Sequence, residues 1–405
     1  MTARTVRRAL TGAALATALA TTALTTTASA DTGRAGDRHS ATRAVMEAQV
    51  RAGVPGVLGR AEDARGTWNA SAGVGDRRTG RDRLPQDRFR VGSITKAFVS
   101  TVLLQLEAEG RLDIDDSVER WLPGVVRGNG HDGSRITIRS LLNHTSGVFN
   151  YTEDPAFFEQ LTTGFPEHRF ETRTPRQLVA AAMQHKPYFS PGKGWHYSNT
   201  NYVLAGMIVE KATGHSYASE VDKRVINKLG MRSTTLPGTS SRVPGPHGRA
   251  YSKLSSTAPD AKIHDVTELN PSWGGAAGEI ISTTGDLNRF YRALLRGDLL
   301  PERQQRELLT TVPVSDTTPD ARYGLGVSSG KLSCGVTVWM HSGGIHGSTS
   351  IASATADGSH TAAFNFNGDW SGDLDALIEA EYCGAKPSAA ADKTGPGLKK
   401  LTSLR

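Results

Sequence analysis

The stretch Phe89-Arg90-Val91-Gly92-Ser93-Ile94-Thr95-Lys96 sets a serine, with a lysine three residues on, at the mouth of a long apolar run. From Ser93 to Glu109 there is no proline or glycine, and Ile94, Ala97, Phe98, Val99, Val102, Leu103, Leu104 and Leu106 dominate. A segment apolar on so many faces predicts a buried central helix rather than a surface one, and Gly110 supplies its stop signal. Positions i and i+3 share a helical face, so Ser93 Oγ and Lys96 Nζ come within hydrogen-bond reach. A serine at that point also sits in the positive end of the helix dipole, where unpaired backbone N–H groups can receive a developing oxyanion.

An unperturbed serine does not ionise near neutrality, so as a nucleophile it needs a base to take its proton during attack. Lys96, desolvated in the interior, would lose proton affinity and could serve or assist. The plainer alternative is a Ser93 that only caps the helix and a Lys96 whose ammonium reaches solvent. The Gly-Ser start, followed by a run too apolar to welcome an unneeded lysine, favours chemistry.

At 405 residues the chain can hold one large or two ordinary domains with a sizeable core. Arg4, Arg7 and Arg8, the apolar stretch from Ala9 to Ala23 and the small residues Ala28-Ser29-Ala30 predict an export leader over residues 1–30. Cleavage after Ala30 would leave a secreted protein, and no later stretch is long and apolar enough to span a bilayer. The formal charge of +7 comes from the ends: three arginines in residues 1–30 and a net of four in residues 385–405. The body is therefore near neutral, which argues against a nucleic-acid surface. The basic Ala/Gly/Pro/Lys tail reads as disordered. Cys334 and Cys383 are the two cysteines of the chain, and an even count in an exported protein favours one disulfide.

A short helix is expected over Thr42–Ala52, followed by strands over Gly56–Asp63 and Thr67–Val74. The loop from Gly75 to Arg81 lacks the Lys-Ser/Thr ending of a phosphate loop and reads as a turn. Residues 112–270 mix helices (Thr137–Leu142, Pro175–Gln184, Thr200–Ala212, Tyr217–Leu229) with Pro/Gly loops. Ser282–Leu295 reads as a helix opened by Ser282 and closed by Gly297. Strands are expected at Tyr323–Ser328, Gly335–Met340, Ser348–Ala354 and Thr361–Asn365. With strands at both ends and helices between, the fold class is α/β (α+β): terminal strands meeting in one antiparallel sheet flanked by helices, with a mainly helical region inserted.

Two further stretches carry polar chemistry. Tyr197-Ser198-Asn199 stands in a loop before a helix and can project a phenol, a hydroxyl and an amide into a cleft. A phenol near ammonium groups could hold a lowered pKa and shuttle protons; the alternative is an ordinary helix start. His341-Ser342-Gly343-Gly344 follows the strand predicted to end at Met340. Its glycines let a strand edge approach an extended substrate, with Gly344 N–H as a second oxyanion donor; the alternative is a turn. Gly214-His215-Ser216-Tyr217-Ala218 imitates a nucleophile elbow but follows a helix where a strand is required. His144-Thr145-Ser146-Gly147 reads as shaping a turn, and the histidines show no metal-binding spacing.

The set S-x-x-K, Y-S-N, H-S-G, in that order, resembles the serine penicillin-recognising enzymes. It is most similar to their class C β-lactamase-type branch, and within it to the secreted serine D-alanyl-D-alanine carboxypeptidases. Phe89 to Gly92, Leu141 to Gly147, Gly278 through Leu287 and the cysteine pair flanking the third box extend the likeness over residues 41–384. The resemblance implies a β-lactamase/transpeptidase-like catalytic domain without cofactor or metal. Ser93 would form the acyl-enzyme, Lys96 would assist proton removal, and Tyr197 would be general base and then general acid. His341 would tune the electrostatics beside Tyr197, and the N–H groups of Ser93 and Gly344 would form the oxyanion hole. Asn199, Trp273, Ser342 and Gly343 would contact substrate.

The implied function is a monomeric secreted hydrolase acting on D-Ala-D-Ala-type peptides of peptidoglycan and acylated by penicillins. A β-lactamase, a D-amino-acid amidase or aminopeptidase, and an esterase share these boxes, and a wall-fragment or β-lactam binder without turnover is the non-enzymatic alternative. The strand region Gly326 to Lys331 offers only Lys331 as a cation for a terminal carboxylate. His341, standing where relatives carry lysine, implies an activity inflection at about pH 6–7.

Overall fold

The computed structural model describes residues 38–315 and 320–384. The expected leader and the basic tail lie outside the described residues. The main sheet has eight strands in the order β2-β1-β8-β7-β6-β5-β4-β3, every neighbouring pair antiparallel. Its N-terminal hairpin is β1 (Gly56–Asp63) with β2 (Gly66–Gly73). The C-terminal part runs through β3 (Val312–Pro313), β4 (Arg322–Tyr323), β5 (Ser328–Lys331), β6 (Thr337–Ile345), β7 (Ser348–Thr355) and β8 (Thr361–Phe366). Strand β1 pairs with β8, Val57 opposite Phe366, so the two ends of the chain close one sheet as the strand distribution predicts.

The central strands are buried on both faces, and the period of two divides their side chains between two layers. Ile351, Ala362, Phe364 and Phe366 pack with Val45 and Met46 of α1 (Ser40–Arg51) and with Leu377 and Ile378 of α5 (Leu374–Cys383). Ala352, Ala354 and Ala363 point to the other face, against the helices α2 (Thr95–Ala108), α3 (Asn199–Thr213) and α4 (Thr284–Leu295). Alanines on this face leave room for the larger helix side chains, and Phe98 of α2 stacks on Phe290 of α4 with ring centroids 3.7 Å apart. The predicted central helix is thus central: nearly all of α2 is buried.

The differences from expectation are local. The segment at Ser93 opens as a 3-10 turn over Gly92–Ile94, and α2 proper begins at Thr95. Helix α4 begins at Thr284 with Thr283 as its cap, its side chain accepting from Asp286 N, because Ser282 is taken by a short strand pairing with Phe89. The strand predicted over Tyr323–Ser328 is broken by a turn in which Gly324 N–H donates to Val327 O at 2.7 Å. Gly326, at φ +80°, presses there against α2: a Cβ would lie 2.4 Å from Ser100 Oγ. Strand β6 runs on to Ile345 rather than ending at Met340, so the His-Ser-Gly-Gly box lies inside a strand and not in a turn. The inserted region is helical as far as Leu229 and largely irregular from there to Ala277. Cys334 and Cys383 form a disulfide with Cα atoms 5.6 Å apart, fastening the β5–β6 hairpin to the end of α5.

Candidate active site

Ser93, the candidate nucleophile, is placed by a contact that only glycine permits. Gly92 has φ +55°, and a Cβ on it would lie 2.8 Å from Gly344 N; a Cβ on Gly343 would lie 1.9 Å from Val91 O. The turn before Ser93 is therefore pressed directly on the β6 edge, which sets the backbone of Ser93 beside that of Gly344. Ser93 and Gly344 both line a cleft of about 310 Å³. The N–H groups of Ser93 and Gly344 are thereby the candidate donors of an oxyanion hole beside that hydroxyl.

Lys96 lies beneath the serine, fully buried. Its Nζ is 2.9 Å from Ser93 Oγ, 2.8 Å from Asn199 Oδ1 and 2.8 Å from Ala277 O. Burial holds its pKa well below the ordinary lysine range. An amide oxygen and a backbone carbonyl can only accept, so each takes an N–H of Lys96, and the third contact of Nζ is the Ser93 hydroxyl. In its neutral form the amine would have its lone pair left for the Ser93 hydroxyl, the one partner of the three able to donate.

Tyr197 is buried with its ring centroid 4.8 Å from Lys96 Nζ. Burial pushes its pKa above the usual phenol value, against a smaller lowering influence of Ser93. The hydroxyl is close enough to Ser93 to feel it, yet makes no hydrogen bond of ordinary geometry. This corrects the expectation of a depressed phenol: desolvation outweighs the nearby amine, which is itself disfavoured as a cation. Tyr197 thus holds a proton and an unspent donor.

His341 receives the Tyr323 hydroxyl at Nε2 (2.8 Å) and turns Nδ1 toward Ser342 O (2.5 Å). Burial first, and then Lys96, push its pKa down to about 3. The imidazole is neutral across the physiological range, so the inflection expected from its sequence position has no structural basis. We expect His341→Gln to change the rate without moving the acidic limb of the kcat/KM profile. A limb near pH 6–7 that vanishes in that variant would show the opposite.

His144 has φ +63°, as a turn-forming residue there requires. It is also fully buried, and its Nδ1 accepts from Ser198 N (3.2 Å) and Asn201 Nδ2 (3.1 Å), pinning the Tyr197-Ser198-Asn199 segment. Asn150 Oδ1 accepts from Asn199 N at 3.0 Å. Asn199 and Trp273 line the cleft as expected, whereas Ser342 and Gly343 do not, both being buried in the β6 strand. Sequence reasoning missed Ala277, whose contribution is a backbone carbonyl and leaves no side-chain signal. It also missed Glu153, Phe158 and Ile345 on the cleft wall, whose approach depends on how distant loops pack. Ser216, the mimic of a nucleophile elbow, caps a helix by accepting from Ser219 N. Among the described residues no helix is long and apolar enough to cross a membrane.

Residues 40–381 match the family described as Beta-lactamase. The chain belongs to that family. Penicillin-binding homologues place this beta-lactamase-family chain in the penicillin-recognising superfamily, as the three boxes imply. Penicillin-binding protein 4* of Bacillus subtilis (strain 168) is 32% identical over 249 residues, 59% of this chain and 51% of that protein. The chain spans about half the length of such sequence relatives. Among solved structures it is similar to a D-stereospecific amidohydrolase from Streptomyces sp., at 57% identity and TM-score 0.82, over 86% of this chain and 99% of that one. A D-amino acid amidase from Ochrobactrum anthropi SV3 matches at 27% identity and TM-score 0.73, over 85% and 98%. The protein is a serine hydrolase of this superfamily.

Proposed function

We propose that the protein is a D-stereospecific amidohydrolase, cleaving amides of D-amino acids through an acyl-enzyme on Ser93. The observation that carries this reading is the charge of the cleft. Of the described residues that line it, Glu153 carries the one charge of fixed sign, and no lysine or arginine is among them. Lys331, the cation considered for a terminal carboxylate, is exposed on β5 and is not part of the wall. Glu153 is held by Tyr188 Oη at 2.6 Å and Asn150 Nδ2 at 3.2 Å, with its carboxylate open to solvent. A fixed carboxylate suits the ammonium of an amino-acid amide and repels the C-terminal carboxylate of a D-Ala-D-Ala peptide. Phe158, Leu161, Trp273 and Ile345 supply an apolar wall for a side chain. The likeness to a D-stereospecific amidohydrolase supports the handedness.

The reaction runs as follows. Ser93 Oγ attacks the amide carbon while its proton passes to the neutral Lys96 amine. The carbonyl oxygen, now an anion, is held by the N–H groups of Ser93 and Gly344. As the C–N bond breaks, the departing nitrogen takes a proton from the Tyr197 hydroxyl, and the proton on Lys96 restores the phenol. Water then attacks the ester, its proton following the same route, and the D-amino acid leaves with Ser93 regenerated. The disulfide supports an oxidising compartment and hence export.

The test compares kcat/KM on D-phenylalanine amide, its L-enantiomer and a diacyl-L-Lys-D-Ala-D-Ala peptide. The D-amide should be the best of the three, and a faster diacyl peptide would return the enzyme to the carboxypeptidases. Glu153→Gln should raise KM about tenfold for the free-amine substrate and leave an N-acetylated one unchanged. Equal effects on both would remove Glu153 from recognition.

A further inference from the structure

Behind the strand that delivers Ser93 lies a second cavity, of about 20 Å³, room for one water-sized or ion-sized occupant. Arg83, Arg88 and Arg90 line it from the segment before the nucleophile. His346 from the β6–β7 turn, Ser348 at the start of β7 and Asn367, which follows β8, line it from the other side. Arg249 is a fourth guanidinium on the wall, paired with Asp265 at 3.0 Å. No aspartate or glutamate among the described residues lines this space.

The charges there are poorly compensated. Arg90 is 3% exposed; its Nη2 donates to Ser241 O at 2.8 Å and Leu269 O at 3.0 Å, but Nε and Nη1 are buried without partners. Arg83, also 3% exposed, has a buried Nε with no hydrogen bond. The Asp87 carboxylate lies 3.9 Å from that nitrogen and is shared with Arg81 at 2.9 Å. Arg88 Nε is likewise buried and unpartnered. Glu279, whose charge Arg90 feels, is bound by Tyr217 Oη and Gly238 N, and burial pushes its pKa up to about 7. Arg83 also donates to Asn365 Oδ1 at 2.7 Å and Gly56 O at 3.3 Å, but buried cations with so little counter-charge are costly, and a counter-ion removes that cost.

His346 Nδ1 and Asn367 Oδ1 are buried acceptors without partners, and taken alone they would favour a water. Charge decides otherwise, since three guanidiniums converge where one shared carboxylate is within ion-pair range. We infer that this cavity binds a small monovalent anion of chloride size, held by Arg83, Arg88 and Arg90. The ion would tie the segment carrying Ser93 to the turn that follows β6, the strand carrying Gly344. Its loss would loosen both at once.

The test uses the full chain at constant ionic strength with chloride, bromide or the bulky gluconate as the anion. Chloride and bromide should raise Tm over gluconate by about 2–4 °C, saturating with concentration. Arg88→Gln, at a half-buried position, should abolish that increment. Crystals of the unmodified protein soaked in bromide should show one anomalous peak between Arg83, Arg88 and Arg90, whether or not the variant folds. Equal Tm in all three salts with no bromide peak would mean that the cavity holds water only and would overturn the inference. An anion increment undiminished in Arg88→Gln would overturn it as well.

Discussion

Ser93→Ala is expected to lower kcat on D-amino-acid amides by about 10⁴-fold or more while leaving the fold intact. The serine is almost fully buried, and its hydroxyl lies 2.9 Å from Lys96 Nζ, so the change removes one small group and one hydrogen bond. Tyr151, Thr152, Thr162 and Ser255 also bring hydroxyls to the wall, but the one that Lys96 Nζ hydrogen-bonds is that of Ser93. Mass spectrometry provides the decisive measurement. The unmodified enzyme should gain the mass of a ring-opened penicillin or of a slowly hydrolysed D-acyl group, and the variant should gain neither. A variant that keeps its rate within tenfold would show that the nucleophile lies elsewhere.

Lys96→Met should cost about 10³-fold or more in kcat, because the proton acceptor for Ser93 disappears. A second signature separates this from a packing defect. Lys96 has its pKa depressed by burial, so between that depressed value and about 10.4 the unfolded state binds more protons than the native state, and stability rises with pH. His341, at about 3, adds a slope of the same sign, but only below the ordinary histidine range. Unfolding free energy measured between pH 7 and 10 should therefore climb in the unmodified protein and lose that part of its slope in the methionine variant. An unchanged slope would mean that Lys96 is protonated in the native state, and the proposed proton transfer would fail.

In the proposed reaction the tyrosine takes the complementary role. A phenol pushed up by burial is a poor base at neutral pH and a ready donor, whereas a lysine pushed down is a competent base. The same low-dielectric environment moves the two groups in opposite directions. Two titratable groups with separated protonation states are what acid–base catalysis on a leaving amine requires.

The amino-acid sequence determined which groups are available and in what order: Ser93 with Lys96 on one helical turn, Tyr197 and Asn199 before a helix, His341 to Gly344 near a strand. It also pointed to a shared sheet for the terminal strands, because strand-forming runs lie at both ends of the chain with helices between them, and to a buried α2, because that run is apolar on nearly every face. Both rest on local composition, which is written along the chain. Tertiary structure decided what the chain alone does not carry. Whether Lys96, Tyr197 and His341 hold protons depends on how completely other segments exclude water from them, and sequence spacing contains no measure of desolvation. The carboxylate of Glu153, the carbonyl of Ala277 and the arginine-lined cavity behind Phe89–Arg90 likewise exist only once loops far apart in sequence are packed together.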